Sequence, residues 1–154
     1  MKKLLWLCGL AVLAGCASQG QGGIGLSVLE TQPYMRDERW VPRTFVQVQR
    51  AVLQQQAKCG SNIQFAVDND HPNYARVTQK LDSLPGQDDG GWERTLVLGL
   101  QMMTNMQLRG NLYSYYGIDK AQIRAMYNAI LHPDVCPGQP IPPEPPKPEE
   151  NDAE

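Results

Sequence analysis

Side chains that could bind a metal ion stand together at residues 68–71. Asp68, Asp70 and His71 offer two carboxylates and an imidazole directly after a strand-like segment, a position where sites often lie. However, no second histidine cluster completes a ligand set, and stretches rich in Asp and Asn commonly form turns that cap the next element. We therefore interpret residues 68–71 as a turn and predict neither a metal nor another cofactor.

Other groups that could perform chemistry also lack a supporting pattern. Residues 88–91 (Asp-Asp-Gly-Gly) do not have the ligand spacing of a calcium loop, and His132 before Pro133 is interpreted as a helix end. No GxSxG, SxxK, HExxH or phosphate-binding glycine motif is present. Carboxylate pairs for sugar hydrolysis could be drawn only from acids without apolar surroundings, namely Asp82, Asp88, Asp89 and Glu93. The sequence therefore predicts no catalytic residue and does not support an enzyme.

The N-terminus has the organisation of a signal peptide. Lys2 and Lys3 precede a short apolar segment, residues 4–13. A helix needs roughly 20 apolar residues to span a bilayer, so this segment is too short. It ends in Leu13-Ala14-Gly15-Cys16, which resembles the lipobox of bacterial lipoproteins. The resemblance covers residues 1–16 only.

The resemblance implies a chemical role for Cys16. Its thiol would carry diacylglycerol, cleavage would follow Gly15, and the freed amine would often be acylated too; more than one acyl chain makes anchoring stable. Ala17 resembles the sorting signal for the outer membrane, so we expect a lipid anchor on its periplasmic face, with the inner membrane as the alternative. A secreted protein with a chance cysteine at position 16 is the competing interpretation.

Cysteine usage then predicts a disulfide. Cys8 would leave with the signal peptide and Cys16 would carry lipid, which leaves Cys59 and Cys136 in an oxidising compartment. A bond between them would stabilise the fold by roughly 4 kcal/mol in the chain-entropy model. A metal pair or a catalytic thiol is the alternative, but neither cysteine has suitably spaced partners or lies in a CxxC motif.

Two segments resemble contact surfaces. Tyr113, Tyr115 and Tyr116 combine apolar rings with polar tips, a mixture common where proteins bind partners; they are our candidate partner-binding residues, and the alternative is that they pack in a strand or cover the core. Residues 137–154 contain seven prolines and five acids, which predicts an extended polyproline tail. The tail could bind an aromatic groove or serve only as a spacer.

Hydrophobic spacing predicts four helices. Residues 45–58 have an apolar stripe, with Thr44 and Gln47 as a capping box and Gly60 as a stop. Residues 120–131 have a second stripe, with Asp119 as N-cap. A third helix is predicted after Pro72, and the fourth, from Trp92 to Leu108, is predicted to form the centre of the core.

The strand signal is weaker. Residues 63–67 alternate apolar and polar side chains, as a half-buried strand does. Its predicted partner is residues 26–30 or residues 112–116, and residues 34–42 are expected to form a loop.

Together these patterns predict a mainly α-helical α+β fold with about four helices, a short strand pair and one disulfide. The predicted organisation is a signal peptide (1–15), a lipidated flexible tether (16–25), a small globular domain (26–136) and an acidic proline-rich tail (137–154).

Net charge and predicted cellular location suggest a function class. Residues 16–136 contain eleven basic and eleven acidic side chains. A neutral domain followed by an acidic tail argues against nucleic-acid binding, which would need a basic face. We expect a membrane-anchored, non-catalytic accessory or assembly factor that contacts another envelope protein, similar to pilotin lipoproteins in general description only. The alternatives are a periplasmic inhibitor or immunity protein that binds an enzyme, and a cell-wall enzyme.

Overall fold

The computed structural model describes residues 23–81 and 91–141. The predicted signal peptide, Cys16, most of the tether, the loop acids Asp82, Asp88 and Asp89, and tail residues 142–154 lie outside this part. Within it, no helix is both long enough and apolar enough to cross a membrane.

Two predicted helices are confirmed, together with their local end signals. Helix α2 (Phe45–Cys59) begins with the predicted capping box of Thr44 and Gln47 and ends at Gly60, whose φ of 63° favours glycine. Helix α3 (Lys120–Leu131) begins at Asp119, whose side chain accepts a hydrogen bond from the Gln122 amide.

Five strands form one antiparallel sheet in the order β1-β5-β4-β3-β2. Their bounds are β1 Met35–Val41, β2 Ile63–Val67, β3 Tyr74–Lys80, β4 Thr95–Met102 and β5 Leu108–Tyr113. Helices α2 and α3 pack against one face of this sheet. We call the opposite face the open face.

The predicted mainly helical fold is wrong, and the predicted central helix is the clearest error. Residues 92–108 cover most of a 3-10 turn (Gly91–Arg94), the central strand β4 and the first residue of β5. Leu96, Leu98 and Leu100 pack under the helices, while Val97 is buried on the open face. A strand buried on both faces is a continuous apolar run, which also satisfies helical spacing.

Three further element predictions are corrected. The helix expected after Pro72 is strand β3, whose Ala75 and Val77 are buried in alternation with partly exposed neighbours. The strand expected at residues 26–30 is a one-turn helix, α1 (Leu26–Leu29), and the loop expected at residues 34–42 is largely β1. Strand β2 is confirmed, but it pairs with β3 rather than with either predicted partner.

The predicted disulfide is present and ties the helical layer together. Cys59, the last residue of α2, is bonded to Cys136, which follows α3, with Cα atoms 5.4 Å apart. Gln54 Nε2 also donates to Asp134 Oδ1 in the same segment. The chain after α3 is therefore held along α2.

Candidate binding surface on the open sheet face

The open face has a covered half and an uncovered half. At the end where β1 begins, Leu29 of α1 packs on Val97 and Tyr113, and Ile24 and Leu26 pack around this cluster. The described chain therefore enters the fold at this end, which we call the entry end. The opposite end of the sheet, where β1 finishes, is called the far end.

A polar cluster fastens the residues after α1 to the sheet. Arg76 donates from Nε to Glu30 Oε1 at 2.7 Å and from Nη2 to Glu30 Oε2 at 2.9 Å. Arg76 Nη1 also donates to Asp68 Oδ2 at 2.6 Å, and Tyr74 Oη donates to Glu30 Oε1 at 2.7 Å. We call Glu30, Asp68, Tyr74 and Arg76 the clamp.

The clamp is partly shielded from water, which strengthens its charge interactions. The side chains of Arg76 and Glu30 are 21% and 13% exposed. The hydrogen bond to Glu30 raises the pKa of Arg76, and burial followed by the bond to Glu30 raises the pKa of Tyr74. The Arg76 guanidinium lowers the pKa of Asp68 to about 2.

Glycine allows the Tyr74 side chain to lie against the sheet. Gly99 of β4 is directly opposite Arg76, and a Cβ at this position would collide with Tyr74 Oη. Because Tyr74 Oη is hydrogen-bonded to Glu30, it cannot move away without loss of that bond. A side chain at position 99 would therefore disturb the clamp.

The segment considered for metal binding forms a turn. Asp68 Oδ1 accepts hydrogen bonds from the amides of Asp70 and His71, both at 3.0 Å, while its other oxygen is used by Arg76. Among residues 23–81 and 91–141, no three His, Cys, Asp or Glu side chains are arranged to hold a metal ion. Asp68 thus positions the β2–β3 turn and one side of the clamp.

The three candidate tyrosines lie at the entry end in different environments. Tyr113 is buried under α1, and burial raises the pKa of its hydroxyl. Tyr115 stacks on Tyr34 with ring centroids 5.6 Å apart and meets Tyr116 edge-on at 5.0 Å. Only Tyr116 is largely exposed, so one of the three offers most of its ring to a partner.

The uncovered half carries an exposed tryptophan that is not among the residues predicted to bind a partner. Val41 is buried beneath the helices, so the preceding residue, Trp40, lies on the open face, where it is 58% exposed. Its direct cross-strand partner is Arg109, which is followed across the sheet by Gln101. The only sequence signal is one aromatic residue in an otherwise charged run, residues 36–40.

An exposed ion pair lies beside Trp40. Arg109 Nη2 is 2.6 Å from Glu38 Oε2, and the two side chains are 44% and 39% exposed. The bond to Glu38 raises the pKa of Arg109. Trp40, Glu38 and Arg109 therefore form a mixed aromatic and charged patch on edge strand β1 and its neighbour β5, which we call the far-end patch.

The far-end patch contains groups suited to recognition. Trp and Arg are enriched among interface residues that dominate binding energy, because they combine large contact area with directed hydrogen bonds.

No protein-family model, no curated protein sequence and no solved structure matches this chain.

Proposed function

We propose that this chain is a lipid-anchored, non-catalytic accessory or assembly factor of the bacterial envelope that binds another envelope protein through the far-end patch. The anchor would be Cys16, on the periplasmic face of the outer membrane. The observation that carries the proposal is Trp40, which is 58% exposed on the uncovered half of the open face.

The position of Trp40 relative to the chain entry supports this arrangement. Residues 24–26 lie at the entry end, next to the start of β1 at Met35. Five residue steps along β1, about 17 Å at 3.3 Å per residue, separate Met35 from Trp40. An anchor at Cys16 would attach at the entry end, so the far-end patch would be the surface further from the chain entry and accessible to a partner.

The chemistry of the patch favours a protein partner. Binding that removes an exposed tryptophan ring from water is favoured by about 25 cal/mol per Å² of apolar surface buried. Glu38 and Arg109 can exchange their mutual bond for bonds with a partner, which adds orientation more than affinity. Binding through the tryptophan ring and the ion pair involves no catalytic step.

Site-specific photo-crosslinking in cells tests the proposal. A photoreactive amino acid in place of Trp40 should yield a lipid-anchored adduct with one envelope protein, identified by mass spectrometry. Leu53 on α2 is the matched control, because it is also 58% exposed but lies in the helical layer. The same adduct should disappear when Cys16→Ser prevents anchoring.

The outcome that contradicts the proposal is specific. Equal adducts from positions 40 and 53 would show that the contact is non-specific. No adduct from position 40 in correctly anchored protein would exclude the far-end patch as the binding surface.

A further inference from the structure

A small pocket lies on the open face at the entry end, apart from the far-end patch. Its volume is about 280 Å³, near the lower limit of pockets that hold small ligands. The residues that line it come from β2, β3, the 3-10 turn and β4: Asn62, Gln64, Thr78, Lys80, Gly91, Trp92 and Thr95.

Strand register places the polar side chains of the pocket together. Gln64 is directly opposite Thr78, and Lys80 is directly opposite Thr95. Directly opposed residues share one face of a sheet, and this face is the open one because Thr78 is also opposite Val97. The floor of the pocket is therefore built from ordered strands.

Two internal hydrogen bonds hold the frame of the pocket. Asn62 Nδ2 donates to the Lys80 carbonyl at 2.8 Å, and Thr95 Oγ1 donates to the Gly91 carbonyl at 2.9 Å. The second bond fixes the start of the 3-10 turn that carries Trp92, which is 36% exposed. Trp92 thus forms a positioned wall beside the polar floor.

Three polar groups at the pocket are not used by the fold. Within residues 23–81 and 91–141, the side chains of Gln64, Thr78 and Lys80 make no hydrogen bond or ion pair. They supply an amide that both donates and accepts, a hydroxyl and an ammonium. A ligand with hydroxyl groups and one negative charge would satisfy all three.

We propose that this pocket binds an acidic saccharide. The apolar face of a sugar ring stacks on an indole, amide and hydroxyl side chains bind the ring hydroxyls, and the Lys80 ammonium pairs with the sugar carboxylate. The Trp92 wall, the Gln64 and Thr78 floor and the Lys80 cation provide these three elements in one site. The inference does not depend on the lipid anchor or on the far-end patch.

Titration of the full-length protein with matched sugars tests the proposal. N-acetylmuramic acid and N-acetylglucosamine differ by the lactyl group that carries a carboxylate, so the pair isolates the contribution of charge. The Trp92 indole N–H signal in a ¹H–¹⁵N spectrum should shift saturably with N-acetylmuramic acid, with a Kd on the order of 1 mM. A 3-deoxyoctulosonic acid arm distinguishes a lipopolysaccharide source from a peptidoglycan source.

Variants assign the roles of the side chains. Lys80→Gln should weaken binding of N-acetylmuramic acid up to about fivefold, the effect of losing one exposed ion pair, and leave N-acetylglucosamine binding unchanged. Binding to the Trp92 variants, which lack the indole signal, is followed through the backbone amide signals of Gln64 and Thr78 in the same spectrum. Trp92→Ala should abolish binding of both sugars, whereas Trp92→Phe should retain part of it and thereby control for folding. Trp40→Ala at the far end should bind like wild type.

Two results would overturn the assignment. If neither acidic sugar produces a saturable Trp92 shift in folded protein, the pocket is not a saccharide site. If N-acetylglucosamine binds as well as both acidic sugars, Lys80 does not select a carboxylate and the ligand class is wrong.

Discussion

Replacement of Glu30 by glutamine should destabilise the domain far more than the same change in a comparable exposed ion pair. Glutamine keeps one oxygen that can accept from Tyr74 Oη and Arg76 Nε. Its amide nitrogen, however, would face Arg76 Nη2, donor against donor, where the carboxylate now accepts at 2.9 Å. The variant therefore loses one charge-assisted hydrogen bond and the ion pair.

The magnitude follows from burial. A hydrogen bond to a charged group contributes about 1.5–3 kcal/mol, and the side chains of Arg76 and Glu30 are only 21% and 13% exposed, so solvent screening is incomplete. We expect Glu30→Gln to lower the free energy of unfolding by about 2 kcal/mol. For a domain of this size, that corresponds to a fall in Tm of about 10 °C.

Glu38→Gln is the matched control because it makes the same chemical change in a pair that is mostly exposed. Glu38 and Arg109 are 39% and 44% exposed, and exposed pairs contribute little to stability because water screens them. Urea and thermal unfolding at pH 7, followed by circular dichroism, should separate the two variants clearly. If Glu30→Gln shifts the midpoint no more than Glu38→Gln, the clamp does not secure the N-terminal segment to the sheet.

Two further variants test other stabilising features. Cys59→Ser removes a crosslink between residues 77 apart in sequence and should cost roughly 4 kcal/mol; alkylation of native wild-type protein before and after reduction provides the check, and two freely reactive thiols would contradict the bond. The Asp68 carboxyl has a folded pKa of about 2, below its usual value near 4, so its stabilising effect is complete above about pH 4 and is lost as pH falls towards 2. Asp68→Asn should remove that part of the acid dependence of the urea midpoint, and an unchanged pH profile would contradict the role of Arg76.

The elements predicted correctly from sequence have local determinants. In α2, Thr44 and Gln47 are three residues apart, and the side-chain oxygen of each accepts a hydrogen bond from the backbone amide of the other. The helix start therefore depends on neighbours in the chain. Asp119 and Gln122 do the same for α3. Such signals can be recognised without the rest of the fold.

The misassigned elements depend on contacts that are distant in sequence. Strand β4 is apolar on both faces because it lies in the middle of the sheet, and its spacing alone does not distinguish it from a buried helix. Strand β3 has a clear alternation at Ala75 and Val77, but Pro72 and the spacing of Tyr74, Val77 and Leu81 also fit a helix. Pairing with β2 and β4 decides between the two.

The candidate surfaces depend even more strongly on register. Glu30 and Arg76 are 46 residues apart, and Glu38 and Arg109 are 71 residues apart, so neither pair is visible as a sequence motif. Since side chains alternate between the faces of a strand, a slip of one residue in β1 would move Trp40 under the helices and expose Val41. The buried position of Val41 fixes the register because exposing it would cost hydrophobic free energy. The core residue Val41 therefore determines which face presents Trp40. A polar substitution at Val41 should disturb the position of Trp40, although Val41 is not part of the far-end patch.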